Sequence, residues 1–148
     1  MKILMASLLT TMMLAFSARA ETLASGSTVC VDEMDGFGTY VMAAIAAKRV
    51  PLAIVTDCAR ADYQIRGAAE SEKSGWARTI FLKQTGSNEQ ASITLIHVKT
   101  SAVVFAYAVN KHNSVRGKQS AAESCAKYLG NFMKKGGAFT VAAEGTKP

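Results

Sequence analysis

The chain has 148 residues, with 17 Lys and Arg against 11 Asp and Glu, a balance of +6, and two histidines. That length suits one hydrophobic core, and no internal repeat, low-complexity tract or linker divides it. The basic residues are scattered instead of massed in a stripe, which argues against a nucleic-acid-binding surface and reads as a solubility feature.

In chain order, Lys2 gives a positive start, residues 3–16 form an apolar run broken only by Ser and Thr, and Ala18-Arg19-Ala20 is an A-x-A site. These three parts in this order predict a secretory signal peptide over residues 1–20, cleaved between Ala20 and Glu21. The run is shorter than the roughly 20 residues that a membrane-spanning helix needs. A lipoprotein would carry cysteine after the cleavage site, whereas Glu21 stands there and the first cysteine is Cys30. The expected mature chain of 128 residues keeps 15 basic and 11 acidic residues, a balance of +4. It is predicted to be exported, periplasmic or secreted, without stable insertion in a membrane.

Residues 28–32 (TVCVD) predict a short strand, and Asp35-Gly36 is placed to cap a helix. Phe37, Val41, Ala44 and Ile45 share one helical face, Lys48 and Arg49 fall in the last turn, and Pro51 stops the helix. Residues 52–56 (LAIVT) are continuously apolar, as in a strand covered on both faces, so this unit predicts a right-handed crossover to a parallel neighbour. Beyond a turn at 57–60, Tyr63, Ile65 and Gly67 alternate with Gln64, Arg66 and Ala68, a half-buried strand. Residues 76–83 predict a further strand, and 84–90 a polar loop. Residues 91–98 and 103–109 are rich in β-branched and aromatic residues, and the link 99–102 makes them an antiparallel hairpin. After a basic loop at 110–117, Ser120 and Glu123 have capping-box spacing for a second helix. Its apolar stripe is Ala122, Cys125, Ala126, Leu129, Phe132 and Met133, and Gly136-Gly137 ends it.

The predicted fold is therefore a single α+β domain over residues 21–135: β-α-β, then a run of antiparallel strands, then a C-terminal helix. Five or six strands make a mixed sheet with two helices on one face, and residues 136–148 form a flexible tail. Cys30, Cys58 and Cys125 match no CxxC redox or zinc spacing, and an oxidising compartment favours one disulfide. All three pairings are open from spacing alone. Cys58 with Cys125 is preferred, because a covering helix can approach the strand end beside Cys58.

Three segments carry a family resemblance: Ala61-Asp62-Tyr63-Gln64-Ile65-Arg66-Gly67, the hairpin ITLIHVKTSAVVFAYAV, and SAAESCAKYL at the start of the last helix. Together, over residues 28–135, they resemble small exported bacterial domains. These are the periplasmic part of the curli secretion channel, the penicillin-binding-protein activator lipoproteins, and the N-terminal domain of the Tol-Pal translocation protein. The chain departs from that pattern in lacking a lipid-attachment cysteine and in carrying Ala102 where the hairpin more often has glycine. The resemblance implies a non-enzymatic domain that works by contacting envelope proteins.

Candidate chemistry is sparse. Asp32, Glu33 and Asp35 beside Gly36 suggest a calcium loop, but the alternate positions that an EF-hand fills with oxygen donors are Met34 and Gly36. Gly36-Phe37-Gly38 lies where a phosphate loop would, yet position 41 is Val, not Gly. Gly117-Lys118-Gln119-Ser120 lacks the Ser or Thr after Lys and has His112 at the upstream glycine position. His97 and His112 have no spacing that assembles a metal site or a triad, and no serine sits in a G-x-S-x-G elbow. Trp76, Phe81, Phe105 and Tyr107 suit a core in alternating strands better than an exposed docking surface.

The expected function is a non-enzymatic interaction or envelope-assembly module. No cofactor or catalytic residue is assigned, its partner is an envelope or periplasmic protein, and an uncovered strand edge provides the means. A small-molecule or metal-binding protein is the alternative, with its site at Asp32, Asp35 and Asp57 near the first helix start. A small hydrolase ranks third.

Overall fold

The structure is a computed structural model that describes residues 19–72, 87–114 and 116–141. Its strands are β1 (Arg19–Thr22), β2 (Thr28–Val31), β3 (Ala53–Ile54), β4 (Tyr63–Glu72), β5 (Ser87–His97), β6 (Val103–Ser114) and β7 (Ala138–Val141). Two α-helices, α1 (Phe37–Ala47) and α2 (Gly117–Lys134), and two 3-10 turns, Met34–Gly36 and Cys58–Arg60, complete the described elements.

Five strands form a mixed sheet in the order β3-β2-β4-β5-β6, and β1 and β7 pair separately. Strand β2 runs parallel to β3 and β4, whereas β4, β5 and β6 are successively antiparallel, the α+β order read from the sequence. Alternation along the strands gives the sheet one apolar face. Val29, Ile65, Ile93 and Leu95 point to it and are at most 1 % exposed. Both helices cover that face: α1 contributes Phe37, Val41, Ala44 and Ile45, and α2 contributes Ala122, Cys125, Ala126 and Leu129. These residues share one core with Leu23 and Phe139, so the described elements make a single domain. Each fully buried aliphatic side chain contributes about 1.5–3 kcal/mol relative to exposure. Gly38 lets α1 start close to β2, because a Cβ there would collide with the carbonyl oxygen of Asp32.

Several local expectations are corrected. Helix α1 starts where expected, with Gly36, in a left-handed conformation (φ 82°), as its N-cap, but α2 is not capped by Ser120: it begins at Gly117 with Arg116 before it and no side-chain cap. Ser120 lies inside the helix, where its carbonyl accepts from the Ser124 hydroxyl. The apolar run at 52–56 gives only the two exposed residues of β3, because it lies at the sheet edge and not inside it. Strands β5 and β6 extend into the expected loops at 84–90 and 110–117, and β4 continues to Glu72 opposite Asn88. Residues 138–141 of the expected tail pair with β1, and Phe139 is 8 % exposed. The expected strand at 76–83, with Trp76 and Phe81, lies outside the described residues, as does the signal segment up to residue 18. Arg19 and Ala20 open β1, so the expected cleavage after Ala20 would leave Glu21 and Thr22 to pair with Phe139 and Ala138.

The disulfide is also corrected, since it joins Cys30 to Cys58, with Cα atoms 5.0 Å apart, and leaves Cys125 free. The reason is the parity of β2. Val29 and Val31 turn toward the helices, so Cys30 turns to the opposite face, where the 3-10 turn leading into β4 brings Cys58. Cys125 is buried beneath α2 on the far side of the sheet, and burial pushes its thiol pKa up to about 11.

Candidate functional site

The two ends of the sheet order are β3 and β6, and they differ in extent. Strand β6 is 12 residues long and pairs on one side with β5, so among the described residues the amides and carbonyls of its other side lack a strand partner. Its sequence VVFAYAVNKHNS favours extended structure and has Lys111 as its one Lys, Arg, Asp or Glu. A β-bulge at Val104, between the pairs Ile96↔Val103 and Leu95↔Phe105, resets the alternation. From there Phe105 and Tyr107 lean toward α2, while Val103 (58 % exposed), Ala106 and Ala108 lie on the other face.

Aromatic side chains line the seam between β6 and α2. Tyr107 stacks on Tyr128 with ring centroids 4.3 Å apart and an interplanar angle of 19°. Phe105 packs on Phe132 at 5.3 Å. Tyr128 is 47 % exposed, and burial raises the phenol pKa of Tyr107. Phe105 and Tyr107 are thus half-buried against the core, as read from the sequence, but their partners Tyr128 and Phe132 carry the aromatic surface outward beside the edge. The helical spacing of 128 and 132 was the signal for this pairing, and it becomes visible only once α2 is laid along β6.

The sequence-predicted aspartates follow the C-terminal ends of β2 and β3. Asp32 Oδ1 accepts a hydrogen bond from Gln64 Nε2 at 2.6 Å, and Oδ2 lies 3.4 Å from Arg66 Nε. Asp57 Oδ1 accepts from the Ala59 amide and caps the Cys58–Arg60 turn. Asp35 sits in the turn before α1 with φ 52°, and its carbonyl oxygen is 3.4 Å from Lys118 Nζ. The sulfurs of Cys30 and Cys58 and a carboxylate oxygen of Asp32 lie within 4.8 Å of one another. The sulfurs are engaged in the disulfide and the carboxylate holds Gln64 and Arg66, so this group ties β2 to β4 and is not a ready ligand set.

The glycine loop serves the fold in the same way, for the Gly36 and Gly38 amides both donate to the Glu33 carbonyl instead of facing outward. His97 Nδ1 and Thr100 Oγ1 share a hydrogen bond of 2.8 Å, and the ring packs against Tyr63 and Phe139. Sequence reading missed Asp62. Its Oδ2 accepts from both the amide and the hydroxyl of Thr28, and these two bonds, the amide one first, lower its carboxyl pKa below the ordinary 3.8. The Asp62 amide donates back to Thr28 Oγ1, so the pair joins the starts of β2 and β4.

No helix among the described residues is long and apolar enough to cross a membrane. No family model matches the chain, and no curated protein sequence matches it. The fold is similar to that of the PelC dodecamer from Paraburkholderia phytofirmans in two crystal forms. The first, a point variant, superposes with TM-score 0.53 and 21 % identity, covering 78 % of this chain and 96 % of PelC. The second gives 0.52 and 22 %, with 77 % and 96 % covered. At this identity the likeness establishes a shared fold.

Proposed function

We propose that the chain is a non-enzymatic, exported envelope module that assembles with other protein chains by accepting a strand at β6. The observation that carries this reading is the edge itself: a 12-residue strand whose first seven residues, VVFAYAV, are all apolar, flanked by the Tyr107–Tyr128 stack. Strand addition supplies main-chain hydrogen bonds, and aromatic residues beside the edge supply anchoring area. The fold neighbour supports the reading, since PelC is a dodecamer and its chain is matched over nearly its whole length. The predicted signal peptide and the resemblance to exported envelope domains support the compartment. The edge is suited equally to a second copy of the chain and to a different envelope protein.

The reading is tested by Ala106→Lys with Ala108→Lys, which adds two charges on the β6 edge strand. Capture of the envelope partner by crosslinking, and any self-association seen by sedimentation, should be lost while the melting temperature stays within experimental error of the parent. Undiminished capture by a folded double variant overturns edge pairing.

A further inference from the structure

A second surface lies away from the β6 edge, in a groove of about 430 Å³ where the end of α1 meets the flank of α2. Its rim carries Lys48, Arg49, Lys127 and Lys134 with the amide of Asn131, and its lining includes no Asp or Glu. Its floor is apolar, with Val50 6 % and Ala126 1 % exposed, and Gly130 lies over Val50, whose Cγ2 would be 3.5 Å from a Cβ there.

Basic residues at helix ends ordinarily complement the helix dipole, which accounts for Lys48 and Lys134. It does not account for Lys127 or for the backbone conformation of Arg49. Lys127 is midway along α2. Arg49 follows α1 in a left-handed conformation, φ 52°, with the Val50 amide donating to the Ile45 carbonyl, a turn in which glycine is the favoured residue. The same chain ends α2 with Gly136 and Gly137 at φ 103° and 56°. An arginine is therefore held in a conformation that disfavours it, at a place where it lines the groove beside three lysines. Among the described residues the ion pairs are Lys48–Glu123, at 3.8 Å, and Arg66–Asp32, and neither involves Arg49, Lys127 or Lys134.

We infer that this groove binds a phosphate group carried on a small polyol. A groove lined by one arginine and three lysines suits a phosphate, which takes charge-assisted hydrogen bonds from guanidinium and ammonium groups. The apolar floor suits the carbon face of the attached polyol, and the volume lies in the usual range for small-ligand sites. The same chemistry occurs in a soluble glycerol phosphate and in the head group of phosphatidylglycerol. The site is independent of edge pairing at β6.

The exported protein would be titrated with sn-glycerol 1-phosphate by NMR, and in parallel sedimented with phosphatidylcholine vesicles with and without phosphatidylglycerol. Saturable amide shifts at residues 48–51 and 126–134 are expected with the soluble probe, the vesicles or both. Saturation by glycerol phosphate alone identifies a soluble ligand. Cosedimentation that needs phosphatidylglycerol identifies a lipid head group. The variant Arg49→Gly with Lys127→Gln should weaken binding by about tenfold or more, the scale of losing hydrogen bonds to a charged group. Its melting temperature should hold or rise, because glycine relieves the left-handed position. Lys118→Gln, outside the groove, should bind like the parent. Absence of saturable binding to either probe overturns the assignment, as does equal binding by parent and double variant.

Discussion

The two edges of the sheet are built on opposite plans. At one side β3 is two residues long, follows Pro51, and is succeeded by a turn fastened to β2 through Cys30–Cys58. The Asp62–Thr28 hydrogen bonds fasten the neighbouring pair, β2 and β4. At the other side β6 runs for 12 residues with little charge and one described strand neighbour. Natural proteins block exposed edges with short strands, proline, charge and bulges. The β3 side uses two of these devices, while β6 has a bulge near its start, a second register shift near its end, and unbroken pairing with β5 from Phe105 to Lys111. The difference teaches that, among the described residues, sheet extension is suppressed on one side and not on the other, the asymmetry on which the proposed strand-accepting role rests.

The largest effect is expected where the two edges share a support. Ile65 in β4 is fully buried between them, and Ile65→Ala should lower stability by about 2–5 kcal/mol in denaturant melts, loosening both sides together. Removing the disulfide with Cys30→Ser and Cys58→Ser should remove about 2–4 kcal/mol. Hydrogen exchange should then quicken at residues 53–58 and stay slow in the central part of β6; equal quickening in both edges would break the contrast.

Smaller changes sharpen it. Tyr128→Ala at the half-exposed stack should lower stability by about 0.5–1.5 kcal/mol while reducing partner capture more strongly than the melting temperature suggests. Asp62→Asn should have the least effect, and one that depends on pH. The folded carboxyl pKa lies below the ordinary 3.8, so the charged form is favoured by folding. Its stabilisation is present above about 3.8 and disappears as pH falls through the lowered folded value. Parent and variant should therefore converge in thermal melts at the acid end and separate at neutral pH.

Much of this plan was legible in the sequence, and the parts that were not have identifiable causes. Strict alternation in Tyr63-Gln64-Ile65-Arg66 and the helical spacing of Phe37, Val41, Ala44 and Ile45 gave both core faces, because burial repeats with the period of the element. The run Leu52-Ala53-Ile54-Val55 misled, since an apolar stretch looks alike in a central strand and in an edge held by half-buried flanks. The Ser120–Glu123 spacing matched a capping box that the helix does not use, because the chain turns into α2 earlier, at Gly117 with φ 40°. The disulfide could have been found from the inward parity of Val29 and Val31, which sends Cys30 to the face away from α2. The candidate sites were hidden for a different reason: the Tyr107–Tyr128 stack and the basic groove join residues 21 and more than 75 positions apart, and no local pattern encodes such a meeting.

The most direct test of the central claim is site-specific photocrosslinking in the cell envelope. A photoreactive amino acid is placed at Val103, Ala106 or Ala108 on β6 and, for comparison, at Ile54 on β3, with adducts identified by mass spectrometry. The account predicts one reproducible protein adduct from the β6 positions, either a second copy of the chain or a single envelope partner, and none from Ile54. Equal adducts from both edges, or none from β6 in a folded and exported protein, would contradict it.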